Sequence, residues 1–520
     1  MDAYIDTGAF GLDESDGLDT IYGCFGGYLM LNLSILRKRA ARTPGTSPET
    51  MERLLLGQHS DVPPYRVDPA DEAPERHASI RAQMDSLLRV TKLPQLDEDA
   101  ALVRRIRATR GDLTALSDRA LVDRARDIAK TVRQIYPRHV LMSTGAGAGD
   151  GMLRRACAAV DREALVVGFV SGIGGVDSVA PVHGLWELSR IARRSPRVID
   201  AFESGGTTAV TTLMSDEADN GFDGFRAGLQ NYLAEYGYRG PAEWDPGADS
   251  WQTRPELVLW VLNGMRRAPD DRKPSDPGYV TEHDQLRAEF LASQPDSATI
   301  GLLDTGLRVS ALYLAGRERS KTNLMILVNE MRLALRELGR RHLDDGADIA
   351  MLHNKELDDF VADPASFETV INERTKNFEK LRQLEPPFVI DTAPPPLSQW
   401  PLRTNADTIV RAQPGETICG LAGSPGTVIG RARILHDSGE VDRVLPGDVL
   451  ITPTTDPAWT PALLVAAAIV VETGSVLSHA VIVSRELGTP CVVSLADATA
   501  RVRDGDRILV DGGRGTVTVL

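Results

Sequence analysis

The sequence predicts a multidomain protein in which a mostly α-helical part is followed by a small α/β domain. Apolar residues recur at helical spacing from about residue 75 to 385, prolines crowd the stretch 386–416, and short strand-like runs alternate with turns and helices from 417 to 520. We therefore expect a helical domain over 1–385, a proline-rich linker over 386–416 and an α/β domain over 417–520.

The clearest helical pattern is SKTNLMILVNEMRLALRELGRR, whose apolar residues form one stripe at i, i+3, i+4 and i+7. It predicts a helix over about 316–340. Similar patterns predict further helices over 117–135, 184–192, 223–235, 255–265 and 363–384.

Seven prolines lie between residues 386 and 414. Proline disfavours helix and gives a semi-rigid, extended connector. Composition alone leaves two alternatives open, a linker packed on the protein surface and a hinge or tether.

The last hundred residues alternate between short apolar runs and Gly- or Asp-containing turns. They predict two short helices, near 461–467 and 478–487, and strands over 427–435, 448–452, 468–472, 491–495, 507–510 and 516–520.

Composition limits the function classes. The chain has 520 residues and a formal net charge of −15, which argues against nucleic acid or an anionic membrane as the main partner. Its four cysteines have no metal-type spacing, which fits free thiols in a reducing cytoplasm. The first residues lack a signal-peptide pattern, and the longest apolar run, 462–471, is too short to span a bilayer. We expect a cytoplasmic protein.

A single histidine, His479, follows a predicted strand and a glycine-containing turn and begins a predicted helix. Ser478 is a plausible N-cap, and Gly488 ends the helix. Free N–H groups and the helix dipole favour an anion there and disfavour protonation of the imidazole. Local physics is compatible with a phosphate-carrying histidine, but on these residues alone a histidine satisfied locally at a helix start is the better explanation.

The turn before His479 offers groups that suit a phosphate. Gly474 permits close approach of the backbone, and Thr473, Ser475 and Ser478 offer hydroxyl donors. These four residues are the candidate phosphate-binding set.

The stretch from GSPGTVIGRARIL to GDRILVDGGRGTVTVL, with TGSVLSHAVI and RELGTP at its centre, resembles the mobile phosphohistidine domain of the phosphoenolpyruvate-utilising enzymes. The resemblance covers residues 420–520. It implies a swivelling domain in which His479 takes a phosphoryl group from a donor and passes it to an acceptor. Ser475 replaces the second glycine of the family's Gly-Gly, and Val481 replaces its usual second alanine after the histidine.

Residues 20–385 carry a second, more diffuse resemblance, in segments such as SGIGGVDSVAPVHGLWELSRIAR and LAEYGYRGPAEWDPGADSWQTRPELVL. They are similar to the central acceptor domain of the rifampin phosphotransferase and phenylphosphate synthase branch. This implies a largely helical substrate-binding domain. Tyr238 stands where the family pattern often reads the histidine of Y-G-H-R-G, a departure that concerns the acceptor or its chemistry. We include Tyr238 among the candidates for a substrate or phosphate clamp.

Cations on the apolar stripe are candidates for an acceptor site. At about 100° per residue, Arg317 and Lys321 fall within the stripe that continues through Leu324. Burying a lone cation is costly, so each requires a partner. A buried ion pair, a snorkelling stem and a phosphate or substrate clamp all remain open for them, and for Arg239 in the Y-G-Y-R-G-P turn.

Two further motifs predict no site. Gly145, Gly147, Gly149 and Gly151 suggest a phosphate loop, but no Lys-Ser/Thr follows them, and close helix contact or a flexible turn explains them better. The acidic run 344–348 is better explained as a loop after a helix than as a metal site. We expect no metal ligands in this chain.

The complete family members carry an ATP-grasp domain ahead of the central domain, and the resemblance here begins near residue 20. The resemblance implies that this chain is a phosphotransferase component of the dikinase type. It would require a separate ATP-grasp protein, which supplies the ATP and Mg²⁺ chemistry. The chain itself would deliver the phosphoryl group from His479 to a hydroxyl of a small organic acceptor. The alternatives are loss of ATP-driven transfer, a non-catalytic phospho-switch or binding module, and an enzyme that uses phosphorylation to drive elimination or ligation. We expect no nucleic-acid or membrane partner.

Overall fold

The computed structural model describes residues 21–43, 47–56, 62–66, 68–171, 180–215, 222–267, 270, 280–391, 393–402, 410–436, 438–456, 459–474 and 478–520. The chain forms two compact units, each built from two stretches: unit 1 is Met1–Gly145 with Met331–Ile409, and unit 2 is Ala146–Glu330 with Val410–Leu520. The division into 1–385, 386–416 and 417–520 stays a prediction.

Unit 1 contains a two-stranded antiparallel hairpin and a set of helices. The hairpin strands are β1 (Tyr22–Phe25) and β2 (Tyr28–Leu31). The helices are α1 (Leu33–Arg42), α2 (Pro48–Leu56), α3 (Pro69–Glu72), α4 (His77–Arg89), α5 (Pro94–Ala108), the start of α6 (Asp118–Ala158), the end of α13 (Ser297–His342), α14 (Leu357–Ala362) and α15 (Glu368–Arg382).

The proline-rich stretch is partly folded onto unit 1. The Trp400 ring lies 6.0 Å from the Tyr28 ring, and its Nε1 donates to the Pro395 carbonyl at 3.1 Å. Leu402 forms a β-bridge with Leu384. Surface packing is therefore the alternative that holds for 393–402, while 403–409 lie outside the described residues.

The helical part of unit 2 begins within α6 and ends within α13. Between them lie α7 (Leu165–Phe169), α8 (Ala180–Arg194), α9 (Pro196–Ser215, interrupted at Gly206), α10 (Asp223–Tyr236), α11 (Glu256–Arg267) and α12 (Val280–Ala292). Gly149 lets α6 approach α13, because a Cβ there would lie 2.7 Å from the Ser310 nitrogen and 2.9 Å from its Cα. Close helix contact, rather than a phosphate loop, explains this glycine.

The α/β part of unit 2 is an eight-stranded sheet in the order β3-β10-β9-β5-β6-β7-β8-β4. Its strands are β3 (Thr417–Cys419), β4 (Leu421–Ser424), β5 (Thr427–Ile434), β6 (Asp448–Thr452), β7 (Ala468–Val471), β8 (Cys491–Val493), β9 (Arg507–Asp511) and β10 (Thr516–Val519). The run from β5 to β8 is parallel. Parallel neighbours require crossovers, supplied here by segments that include α16 (Thr460–Val465) and α17 (His479–Leu487); α18 (Ala498–Arg501) follows β8.

The α/β part packs against the helical part through one continuous apolar core. Val258 and Leu262 of α11 belong to the same buried cluster as Val444, Trp459 and Leu463 of the α/β part. Burial of these residues removes apolar area from water, which stabilises the packed arrangement seen here.

The predicted fold class is confirmed: a mostly helical part is followed by a small α/β domain. The six predicted strands and both predicted short helices are present within a few residues. The pattern missed β1, β2, β3 and β4, and α13 begins at Ser297 rather than near 316. No helix among the described residues is long and apolar enough to cross a membrane.

Candidate functional site

His479 is the first residue of α17, directly after the β7 strand and its turn. Ser478 occupies the N-cap position with extended backbone angles (φ −73°, ψ 160°), and Gly488 ends the helix in the left-handed region at φ +65°. The structure therefore places the imidazole at the helix end where N–H groups lack helical acceptors, as the sequence predicts.

The candidate phosphate-binding residues take different positions around this turn. The Ser478 side chain makes no capping hydrogen bond, and its buried Oγ has no hydrogen-bond partner among the described residues. Gly474 lies close by, since a Cβ there would be 3.1 Å from that Oγ. Thr473 is exposed, and its N–H donates to the Pro453 carbonyl at 2.9 Å. Ser475 lies outside the described residues.

The turn is tied to the rest of the α/β part by Glu472. Its Oε1 accepts hydrogen bonds of 2.6 Å from both the backbone N–H and the hydroxyl of Thr499. Burial raises the pKa of Glu472 despite these donors. The Gly474 carbonyl accepts a further hydrogen bond from the Ser494 hydroxyl. These contacts fix residues 472–474, the described beginning of the segment that leads to His479.

Arg239 lies in the turn after α10 and is only 2% exposed. Its Nη1 donates to Oε1 and Oε2 of Glu243 at 3.3 and 3.4 Å, whereas its Nε and Nη2 are buried and have no acceptor among the described residues. The Tyr238 ring centre lies 5.2 Å from the guanidinium carbon. Burial by itself lowers the pKa of Arg239, but Tyr238, Glu243 and Glu318 hold it above its ordinary value. Arg239 is thus a buried cation with two donor nitrogens that find no acceptor in the part of the chain that the structure describes.

The backbone around Arg239 is fixed by short contacts. The Trp251 N–H donates to the Arg239 carbonyl at 2.7 Å. A Cβ on Gly240 would lie 2.5 Å from the Asp249 carbonyl oxygen, so no larger residue fits there without a shift. The Asn329 side chain of α13 donates to Gln252 at 3.1 Å and holds this segment against the long helix.

The two predicted cations of α13 are ion-paired. Arg317 Nη1 lies 2.7 Å from Glu318 Oε1, and Lys321 Nζ lies 3.7 Å from Glu243 Oε2. Both carboxylates are at most 4% exposed. Ion pairs are therefore present at Arg317, Lys321 and Arg239, and a phosphate or substrate clamp formed by these residues stays a prediction. We call these five residues, Arg239, Glu243, Arg317, Glu318 and Lys321, the charged cluster.

His479 lies within the electrostatic reach of this cluster. Burial, followed by the charges of Lys321, Arg239 and Arg317, holds the pKa of His479 well below its usual range, and Glu318 only partly opposes them. The imidazole is therefore neutral at pH 7, the form that acts as a nucleophile. A phosphoryl group on this ring would meet three cations, of which Arg239 has donors unused.

Sequence reasoning missed the two carboxylates of the cluster. Glu243 follows Arg239 by four residues, and Glu318 directly follows Arg317. A carboxylate beside each predicted buried cation was the available signal, because a buried cation requires a partner.

The donor set suits phosphoryl oxygens better than a metal ion. Mg²⁺ prefers oxygen ligands with several waters, but the two carboxylates here are already paired with cations. Within the described ranges, no group of three or more His, Cys, Asp or Glu side chains could hold a metal ion.

Family models match two separate segments of the chain. Residues 444–515 match the mobile domain of PEP-utilising enzymes, and residues 139–318 match the fourth domain of rifampicin phosphotransferase. The first match contains His479 and the second contains Arg239, Arg317 and Glu318. The resemblance predicted from the sequence is confirmed for both segments.

Individual relatives agree with these matches. Over 310 residues the chain is 30% identical to rifampicin phosphotransferase of Streptomyces sviceus, covering 57% of this chain and 34% of that protein. Over 358 residues it is 28% identical to prodigiosin synthesizing transferase PigC of Serratia marcescens, covering 65% of this chain and 38% of PigC. It is 27% identical over 358 residues to uncharacterized phosphotransferase YvkC of Bacillus subtilis, covering 65% of this chain and 41% of YvkC.

The chain thus spans between 34% and 41% of the length of these three relatives. Two of the three are named phosphotransferases, and this chain is similar to them over its helical and phosphohistidine-type segments.

Proposed function

We propose that the chain carries a phosphoryl group on His479 and delivers it to a hydroxyl of a small organic acceptor bound beside the charged cluster. The observation that carries this proposal is the position of a neutral, nucleophilic histidine next to three buried or half-buried cations, one of which has two unused donors. Cations and N–H donors fixed in a site of low polarity stabilise the charge on a transferring phosphoryl group.

The chemistry has two steps. In the first, a ring nitrogen of His479 attacks the phosphorus of the donor, an N–P bond forms, and the donor's P–O bond breaks. In the second, the acceptor oxygen attacks, an O–P bond forms, and the N–P bond breaks. We assign the departing hydroxyl proton to Glu318, a buried carboxylate that is ion-paired with Arg317 and whose charge acts on His479.

We further propose that a separate ATP-grasp protein charges His479. By analogy with the family, it would use ATP and Mg²⁺ and transfer the β-phosphate, leaving AMP and phosphate. Support for this donor is the resemblance to the phosphoenolpyruvate-utilising enzymes. The carrier would then move between the two sites.

The test uses the full chain with a candidate ATP-grasp protein and ATP labelled at the β-phosphate. We expect an acid-labile, base-stable label on the protein that His479→Ala abolishes and His436→Ala keeps, because His436 is an exposed histidine of the same α/β part. Label or product formation that persists in His479→Ala would refute the proposal.

Product identity separates the remaining alternatives. PigC is named a synthesizing transferase, so the products must be examined for ligation or elimination as well as for a phosphate ester. Neutral alcohols and phenols are the first acceptors to supply. A labelled protein that passes its phosphoryl group to no acceptor would favour the phospho-switch.

A further inference from the structure

A hydrogen bond joins the α/β part to the turn that carries Arg239 and Glu243. The backbone N–H of Ala242 donates to Asp456 Oδ2 at 2.9 Å. Asp456 follows β6, and its carbonyl oxygen accepts the N–H of Trp459, a residue buried in the core shared with α11. The backbone at Asp456 is therefore held by the packing of the α/β part on the helices.

The donor of this bond, Ala242, belongs to a strained part of the backbone. Ala242 has φ +47°, in the left-handed region where a Cβ collides with the backbone and which glycine tolerates far better. The bond to Asp456 supplies free energy that offsets this strain, since a hydrogen bond to a charged acceptor is stronger than one to a neutral group. Without Asp456, we expect the turn to relax.

The conformation of Ala242 sets the direction of its neighbour Glu243. Glu243 is the residue that orients Arg239 by binding its Nη1, and it also lies 3.7 Å from Lys321. A change at Ala242 would therefore reach two of the three cations near His479.

We propose that Asp456 is a positioning residue for phosphoryl transfer. When the α/β part packs on the helices, Asp456 holds the turn at Ala242, Glu243 fixes Arg239, and the unused Nε and Nη2 of Arg239 are presented to the phosphoryl group on His479. The same contact that brings the carrier to the acceptor site thus completes that site. This inference rests on the proposed function.

Hydrogen exchange of the full-length protein tests the first half of the inference without any ligand. In Asp456→Ala, we expect the backbone amides of peptide 238–245 to exchange about tenfold faster. This factor corresponds to a loss of about 1.4 kcal/mol, which is typical of one hydrogen bond. Asp506→Ala is the matched control, because Asp506 also accepts an exposed backbone N–H at 2.9 Å, from Arg503 within the α/β part. Exchange at 238–245 that is unchanged in Asp456→Ala would overturn the inference.

Rescue experiments separate positioning from a loss of folding. Asp456→Asn keeps an oxygen acceptor and should restore most of the protection. Ala242→Gly removes the strain, so adding Asp456→Ala in that background should speed the exchange by clearly less than tenfold. An equal effect of Asp456→Ala in both backgrounds would contradict the role given to Ala242.

Phosphorus NMR tests the second half. The full chain is treated with phosphoramidate, a small phosphoryl donor, and the resonance on His479 is followed against pH. Asp456→Ala should shift the phosphoryl pKa upwards by removing aligned donors. An unaltered phosphoryl pKa overturns the positioning role. If no label appears on His479, carriage by the proposed chemistry fails, and hydrogen exchange still decides whether Asp456 holds the turn.

Discussion

Removal of the Glu243 charge is the sharpest test of the charged cluster. Glu243 is 1% exposed, lies 3.3 Å from Arg239 Nη1 and 3.7 Å from Lys321 Nζ, and so compensates two cations at once. At an effective dielectric constant of about 20, the attraction to Arg239 alone is about 5 kcal/mol. Loss of one partner from a buried pair typically costs about 3–5 kcal/mol, because the remaining charge stays buried.

We therefore expect Glu243→Gln to lower the free energy of unfolding of unit 2 by about 3–5 kcal/mol. Urea unfolding followed by tryptophan fluorescence measures this, since five of the six tryptophans lie in unit 2. The double variant Arg239→Met/Glu243→Gln should lose less than Glu243→Gln alone, because it leaves no uncompensated charge at Arg239.

The control for this prediction is Asp304→Asn in the same unit. Asp304 also binds an arginine, Arg287, at 3.0 Å, but the two side chains are 48% and 40% exposed. Water screens such a pair, and we expect a loss of at most about 1 kcal/mol. Equal losses for Glu243→Gln and Asp304→Asn would refute the reasoning that Glu243 serves as a buried counter-charge.

Two further predictions concern His479 and the glycine run. Lys321→Met should raise the pKa of His479 in an NMR titration, though not fully to its usual range, because burial is the larger cause of its depression. The pKa of His479 is lower in the folded than in the unfolded state, so the unfolded state binds the proton first and stability should fall as pH drops below about 6.5. Lys321→Met should narrow the pH range over which this stability is lost. An unchanged pKa of His479 in the variant would contradict this prediction. Gly149→Ala should destabilise the protein, because the added Cβ would collide with Ser310. Gly147 has nothing within 4 Å of an added Cβ, so Gly147→Ala should stabilise the protein by up to about 1 kcal/mol in thermal unfolding. Equal effects of the two substitutions would disprove the close helix contact at Gly149.

The accuracy of the sequence-based prediction followed the strength of the local signal. The β5 to β8 strands and α17 are short, apolar and bounded by turn residues, so their pattern specifies them. The first turns of α13 were missed because glycines interrupt its apolar stripe; a Cβ on Gly306 would lie only 3.0 Å from Leu153 of α6. Strand β4 was missed because it pairs with β8, about seventy residues away, and pairing at that distance leaves no local pattern.

By itself, the sequence determined the fold class, the position of His479 at the start of a helix, and the presence of cations on an apolar stripe, which require partners wherever they are buried. Those properties follow from the spacing of neighbouring residues and from the cost of burying a charge. Only the tertiary structure decided that the charges of Arg239, Arg317 and Lys321 act on His479 and which carboxylates pair with them. It also decided that, among the described residues, two nitrogens of Arg239 have no acceptor. These groups come from segments up to 240 residues apart, and distances between them are set by packing of the core rather than by any local pattern.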